Sequence, residues 1–152
     1  MDASAISQII FLIILLILSA FFSSAETALT TVNKIRMRTL ADDGNKRAEQ
    51  VLRITDDSHK MLSAILIGNN IVNLSASSLA TTLAIKLWGS VGAGIATGIL
   101  TFLILVFGEI SPKTFATLYA DQISIAYSGI IGFLMKILTP VIFLVNQFSM
   151  GF

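Results

Sequence analysis

The sequence predicts an all-α integral membrane protein with three transmembrane helices, a further helix along the cytoplasmic face of the membrane, and a dimeric assembly. The chain of 152 residues is 55% hydrophobic and only 12% charged, whereas soluble domains carry about 25% charged residues. Three long apolar runs are interrupted by one segment, 34–60, that holds most of the charge. So few charges cannot cover a soluble globule with polar surface, and the pattern is typical of a membrane domain.

Composition also excludes several kinds of site. The chain has no cysteine, which excludes disulfides, thiolate metal sites and cysteine nucleophiles. Its one histidine, His59, excludes a multi-histidine metal site within the chain. The sequence contains no nucleophile–base pair and no cofactor motif that would indicate an enzyme. A net charge of +1 is too small to favour nucleic acid as a partner.

The first predicted span covers residues about 5–32. It begins with 21 uncharged residues, Ala5 to Ala25, which at about 1.5 Å per residue cover about 30 Å, the thickness of the hydrocarbon core. A cleaved signal peptide is the alternative interpretation. Such a peptide needs a positively charged segment before its apolar run, and the only charge in that position is Asp2.

The second and third predicted spans, about 61–86 and 91–116, are joined by a short connection containing Trp88 and Gly89. Seven of the ten Lys/Arg residues lie in the segment 34–60, before the second span. Because Lys and Arg accumulate on cytoplasmic loops, we expect this loop inside, the N-terminus outside and the C-terminus in the cytoplasm of a multi-pass plasma (cell inner) membrane protein.

The segment 34–60 also contains an amphipathic stretch. Ala48, Val51 and Leu52 follow the i, i+3, i+4 spacing of one helix face. Two interpretations fit this spacing. The helix lies on the inner membrane surface with this face in the lipid, or it is a solvated loop helix.

The last apolar segment, Ile123 to Val145, is long enough for a fourth span. Lys136 near its middle makes insertion costly, by about 2.5–3.5 kcal/mol, and Pro140 weakens a continuous helix. We therefore favour a juxtamembrane helix over about 122–148. Three spans are too few to enclose a pore, which favours a homodimer, and Gly94 and Gly98 permit close helix approach.

Two acidic residues, Glu26 and Glu109, lie within or at the ends of apolar runs, where a charge is expensive and indicates function. Glu26 belongs to the segment FFSSAETAL and shares one helix face with three hydroxyl residues. In the second span, IGNNIVN places three asparagines within five residues. The polar faces of these two spans are, in order, Ser19, Ser23, Glu26 and Thr30, then Ser63, Asn70, Asn73 and Ser77. Simple hydrogen bonding within or between helices is the alternative interpretation.

The third polar segment, GEISPK, contains Glu109 and a proline. If an α-helix continues through it, Pro112 has no N–H for the carbonyl of Gly108 and leaves that oxygen free beside the Glu109 carboxylate. The alternative is a helix end with Glu109 paired to Lys113. Carboxylate, amide, hydroxyl and carbonyl oxygens suit hard cations such as Mg²⁺, Ca²⁺, Mn²⁺ or Na⁺.

At FFSSAETAL, GNNIVN and GEISPK the chain resembles the transmembrane domain of the CorC/cyclin M (CNNM) family of magnesium transporters. The resemblance implies a dimer of three-span domains with a juxtamembrane belt helix, exporting Mg²⁺ across the membrane with Na⁺ influx as the driving force. It implies Mg²⁺ ligands at Ser23, Asn70, Gly108 and Glu109. Ser24, Glu26 and Asn73 are secondary candidates, and Glu26 alternatively belongs to the Na⁺ pathway or to helix packing.

Two other functions remain open at this point: a Mg²⁺-binding membrane scaffold or sensor without transport, and a cation channel. The expected partners are a second copy of the chain, the lipid bilayer, Mg²⁺ and Na⁺. Members of the resembled family continue into a cytoplasmic CBS-pair domain that binds nucleotide. This chain stops at Phe152, so we expect an isolated membrane domain of residues 1–152.

Overall fold

The computed structural model describes residues 3–150, except for the side chains at 146, 149 and 150, and this part of the chain contains helices and no strand. The elements, in chain order, are α1 (Ala3–Thr31), α2 (Lys34–Asp42), α3 (Lys46–Asp56), α4 (Ser58–Leu103), a π-helix (Ile104–Ile110), α5 (Ser111–Leu118), α6 (Ala120–Ile137) and α7 (Thr139–Met150).

Two helical runs are long and apolar enough to cross a membrane: α1, and the run from α4 through α5 that covers Ser58–Leu118. The second run has 61 residues, which at 1.5 Å per residue is about 90 Å, three times the thickness of a bilayer core. Gly89 breaks it with φ 73° and ψ −175°. The break lies in the connection predicted between the second and third spans.

Helices α6 and α7 form a bent pair that counts as a third candidate span if it is treated as one. They meet at Leu138 with a bend of 62°. Pro140 is not the break, because it lies in the first turn of α7, where a missing N–H costs no helical hydrogen bond. The predicted belt position of residues 122–148 stays a prediction.

The chain divides into two compact units. Unit 1 comprises the chain up to Ser24 and Gly68–Thr114. Unit 2 comprises Ala25–Ile67 and the chain from Phe115 onward.

In unit 2, α2 and α3 form a helical hairpin. The turn places Gly44 at φ 97°, which favours glycine. Asn33 and Asn45 cap the two helices, since their side chains accept hydrogen bonds from backbone N–H groups of the first turns.

The apolar face of α3 packs against α6. Its residues Ala48, Val51 and Ile54 are buried, and Leu52 is half-buried. The amphipathic helix predicted in the 34–60 loop is therefore present, and its apolar face contacts another helix of the same unit.

Asp121 at the start of α6 connects this helix to the first turn of α2. Its Oδ1 accepts the Asn33 N–H at 3.0 Å, and its Oδ2 lies 3.5 Å from Nη1 of Arg36. Beside it, a small core forms around residues of α1, α5 and α6, namely Ala28, Ala116, Ala120 and Ile123, with Tyr127 packed against them.

In unit 1, α1 and α4 are close to each other at Gly68. A Cβ built on Gly68 would lie 2.6 Å from Cζ of Phe22, so a side chain there would displace this ring. An apolar cavity of about 410 Å³ lies between α1 and the parts of α4 before and after Gly89, and its lining includes Leu12, Leu16 and Ala80.

Candidate metal centre

Three of the polar segments meet in unit 1 through a chain of hydrogen bonds. The hydroxyl of Ser19 on α1 donates to Asn73 Oδ1 on α4 at 2.7 Å. The amide of Asn73 in turn donates to Glu109 Oε1 in the π-helix, with 3.5 Å between the heavy atoms. Ser19 is buried, and Asn73 and Glu109 are half-buried. Glu109 is the only carboxylate among the described residues of unit 1.

Gly108 brings the π-helix into direct contact with α1. It is buried, and a Cβ added to it would lie 3.0 Å from Ser19 Oγ and 3.4 Å from Leu16 Cδ1. Any side chain would therefore push against the hydroxyl that holds Asn73.

The helix around Gly108 is a π-helix, whereas the sequence left open either a continuing α-helix or a helix end with Glu109 paired to Lys113. The bonds in residues 104–110 run five residues back, and the last of them joins the Ser111 N–H to the Val106 carbonyl. The segment ends directly before Pro112. Because a proline in an α-helix clashes with the preceding turn, the wider π turn fits this position. Such turns occur often at functional sites.

The π turn changes which carbonyls lose a donor. The first hydrogen bond of α5 is accepted by Ile110, and Pro112 donates none. Ser111 donates to Val106, so the carbonyl of Phe107 loses both of its helical donors, the N–H groups four and five residues further on. The sequence predicted a freed carbonyl at Gly108.

The neighbouring serines of FFSSAETAL have different environments. Ser23 is fully buried, and its Oγ has no hydrogen-bond partner among the described residues. Ser24 is also buried, but its Oγ donates to the carbonyls of Ala20 and Phe21 in its own helix. An unpaired buried hydroxyl costs about 1–3 kcal/mol, so Ser23 has an oxygen available for a ligand and Ser24 has not.

The three asparagines of the second span are also distinct. Asn73 bridges Ser19 and Glu109, while Asn70, the asparagine that the resemblance nominates, is exposed within the single chain. Asn69 was not nominated, although its Oδ1 is buried without a partner among residues 3–150. Three asparagines in one helix turn and a half give no sequence signal that selects among them, because packing decides which side is covered.

Glu26 belongs to unit 2, whereas the residues just described belong to unit 1. It is half-buried, and its carbonyl accepts the hydroxyl of Thr30. Its predicted role as a metal ligand or as part of a Na⁺ pathway stays a prediction.

The donor set of unit 1 fits a hard cation. Unit 1 contains one carboxylate, the side-chain oxygens of Ser23 and Asn69, which have no hydrogen-bond partner among the described residues, and the carbonyl of Phe107. Within residues 3–150 there is no cluster of three or more His, Cys, Asp or Glu side chains. Oxygen donors with little negative charge suit a cation that keeps part of its water shell, as Mg²⁺ does.

Several known proteins are similar in sequence to this chain. The model of the family described as the cyclin M transmembrane N-terminal domain matches residues 10–152. A UPF0053 protein of Haemophilus influenzae is 46% identical over 150 residues, which are 98% of this chain and 36% of that protein. The UPF0053 inner membrane protein YfjD of Escherichia coli is 41% identical over 132 residues, 87% of this chain and 31% of that protein.

A chloroplastic DUF21 domain-containing protein of Arabidopsis thaliana is 38% identical over 145 residues, 95% of this chain and 22% of that protein. The chain thus spans about a third or less of the length of these relatives. The match to the family covers all three polar segments and the helices that carry them. The chain therefore belongs to the cyclin M (CNNM) transmembrane domain family of membrane proteins.

Proposed function

We propose that this chain is the membrane domain of a Mg²⁺ transporter that exports Mg²⁺ and is driven by Na⁺ influx. The cation is the transported substrate, held by Ser23, Asn70 and Glu109 and by the freed carbonyl beside Gly108. The observation that carries the proposal is the buried, unpaired hydroxyl of Ser23 in the same unit as the Ser19–Asn73–Glu109 chain. One carboxylate neutralises a dication only in part, which favours the modest affinity that a carrier needs for release.

Membership of the family supports a transporter-like membrane domain, and the oxygen donor set supports a hard cation as its substrate. The homodimer is part of the proposal. Gly94 and Gly98 support it, since a Cβ built on either meets nothing within 4 Å in the described part of the chain. Packing within this chain therefore does not require them, and a second helix can approach there.

The two adjacent serines supply a matched test. Ser23→Ala removes the oxygen without an intrachain partner, so we expect Mg²⁺ flux in liposomes to fall at least tenfold. Ser24→Ala removes a hydroxyl that is bonded to its own helix, and flux should stay within twofold of wild type. Flux is measured with a Mg²⁺-sensitive dye, with and without an opposing Na⁺ gradient.

Thermal unfolding checks that both variants fold. Ser23→Ala should unfold at the wild-type temperature or above, because it removes an unsatisfied buried hydroxyl. Equal flux in the two variants would contradict the assignment of Ser23. Mg²⁺ binding without flux under any Na⁺ gradient would contradict transport and favour the scaffold or sensor.

A further inference from the structure

A polar cavity lies in unit 2, between α3, the start of α4 and α6. Its volume is about 380 Å³. The charged and polar side chains that line it are Gln50, Arg53, Asp57, Lys60 and Lys136. The cavity therefore holds three cationic groups against one carboxylate.

Within residues 3–150, none of the three cations forms a salt bridge. The carboxylate of Asp57 also lines the cavity, and its Oδ1 accepts the backbone N–H of Lys60 at 3.4 Å. Three cations and one carboxylate leave the lining with a net charge of +2. This excess of positive charge favours an anionic ligand.

Gly132 in the wall of the cavity allows α3 to approach α6 closely. A Cβ on Gly132 would lie 3.3 Å from Nε2 of Gln50 and 3.6 Å from Cγ2 of Ile54. Glycine at this position leaves room for the Gln50 amide, which makes no hydrogen bond with any other described residue and adds a donor to the cavity.

The rim of the cavity on α6 is apolar and exposed. Phe133 both lines the cavity and is 63% exposed, and the neighbouring side chains of Ile130 and Ile137 are more than half exposed. Helix α7 also carries exposed apolar side chains, of which Phe143 and Leu144 are each about 60% exposed. A basic cavity with exposed apolar side chains at its edge is typical of a site at a membrane interface.

We propose that this cavity binds the phosphate headgroup of an acidic phospholipid. Arg53, Lys60 and Lys136 contact the phosphate oxygens, Gln50 donates a further hydrogen bond, and the acyl chains lie over the exposed side chains of α6. The positive charge of the cavity selects an anionic ligand. The apolar rim favours a phospholipid over free phosphate, because free phosphate has no apolar part to contact Phe133 or Ile137. Lys136, whose charge makes insertion of the segment 123–145 into the bilayer costly, then binds the headgroup at the membrane surface.

The test follows the thermal unfolding temperature of the full chain in detergent. Dioctanoyl phosphatidylglycerol, dioctanoyl phosphatidylcholine and inorganic phosphate are titrated separately at constant ionic strength. We expect phosphatidylglycerol to raise the unfolding temperature with saturation and the other two to leave it unchanged. Arg53→Gln combined with Lys136→Gln should raise the half-saturating concentration of phosphatidylglycerol at least tenfold.

Arg47→Gln is the matched control, because Arg47 is an exposed cation of α3 that does not line the cavity. It should bind phosphatidylglycerol as wild type does, and Lys136→Arg should retain most of the binding because the charge is kept. If Arg47→Gln weakens phosphatidylglycerol binding equally, overall charge is responsible and the cavity is not the binding site. If inorganic phosphate alone raises the unfolding temperature with saturation, the ligand is not a lipid.

Discussion

At the scale of the single residue, the position of Gly108 against Ser19 leaves little room for a side chain in the candidate metal centre. The 3.0 Å between an added Cβ and Ser19 Oγ is shorter than an ordinary packing contact, so Gly108→Ala should displace the serine and its bond to Asn73. We expect destabilisation of about 1–3 kcal/mol, the usual cost of overpacking, and at least tenfold slower Mg²⁺ flux.

A double-mutant cycle identifies the cause of that loss. Ser19→Ala removes the hydroxyl that the new methyl group would meet, so the double variant should unfold at a higher temperature than the sum of the two single effects predicts. Additive effects would mean that Gly108→Ala acts elsewhere. The flux of the double variant should remain low, because the bond from Ser19 to Asn73 is then lost as well.

Single residues also show where sequence reasoning ends. Ser23, Gly108 and Glu109 were nominated from the sequence, and the structure puts them in one compact unit. Asn69 was not nominated, because neighbouring asparagines have the same chemistry and differ only in which side of the helix is covered. Ser23 and Ser24 also have the same chemistry. The side chain of Ser24 adopts a rotamer that donates to the preceding turn, and that of Ser23 does not.

At the scale of the element, the break in the long helical run depends on Gly89. Its φ of 73° with ψ of −175° belongs to a region that only glycine adopts readily. Gly89→Ala should therefore destabilise the protein by about 1–3 kcal/mol, as measured by thermal or denaturant unfolding.

The control for this change is Gly94→Ala in the same run. Gly94 is helical, and an added Cβ meets no atom of the described chain within 4 Å. Alanine is the better helix former by about 1 kcal/mol. Measured on monomeric protein in dilute detergent, where no second helix lies against Gly94, this variant should therefore be at least as stable as wild type. Equal destabilisation at both positions would contradict the role assigned to the backbone of Gly89.

The α3 helix illustrates what periodicity can and cannot predict. The spacing of Ala48, Val51 and Leu52 predicts an amphipathic helix, and that helix forms. The spacing does not say whether its apolar face contacts lipid or protein, because both environments favour the same side chains. In the structure the face packs on α6, a contact between segments about 80 residues apart in the chain.

At the scale of the whole molecule, the distribution of Lys and Arg predicts the orientation in the membrane. The chain has no cysteine, so single cysteines can be introduced without background labelling. In intact cells, Ser90→Cys in the outer connection should react with a membrane-impermeant maleimide. Lys46→Cys in the α2–α3 hairpin should react only after the cells are permeabilised. Labelling of both from the same side would contradict the predicted topology.

The fold class and the positions of the long apolar helices could be predicted because burial in lipid requires long uncharged runs that are visible in the sequence. The bend of 62° between α6 and α7 could not. It occurs at Leu138, a residue that favours helices, while the nearby Pro140 is accommodated in the first turn of α7. Whether a proline breaks a helix depends on where the helix starts, and a single sequence leaves helix starts uncertain by a few residues.

The π-helix at Ile104–Ile110 has a consequence for comparing and engineering these chains. A π turn, closed by a bond five residues back, contains one residue more than an α turn. The residues that share a helix face after Ser111 are therefore displaced by one position from those that the α-helical spacing of three and four, counted from before Leu103, would predict. Alignments, cysteine scans and designed substitutions that count across this segment must skip one residue, or they assign to the lipid a side chain that belongs to the polar face.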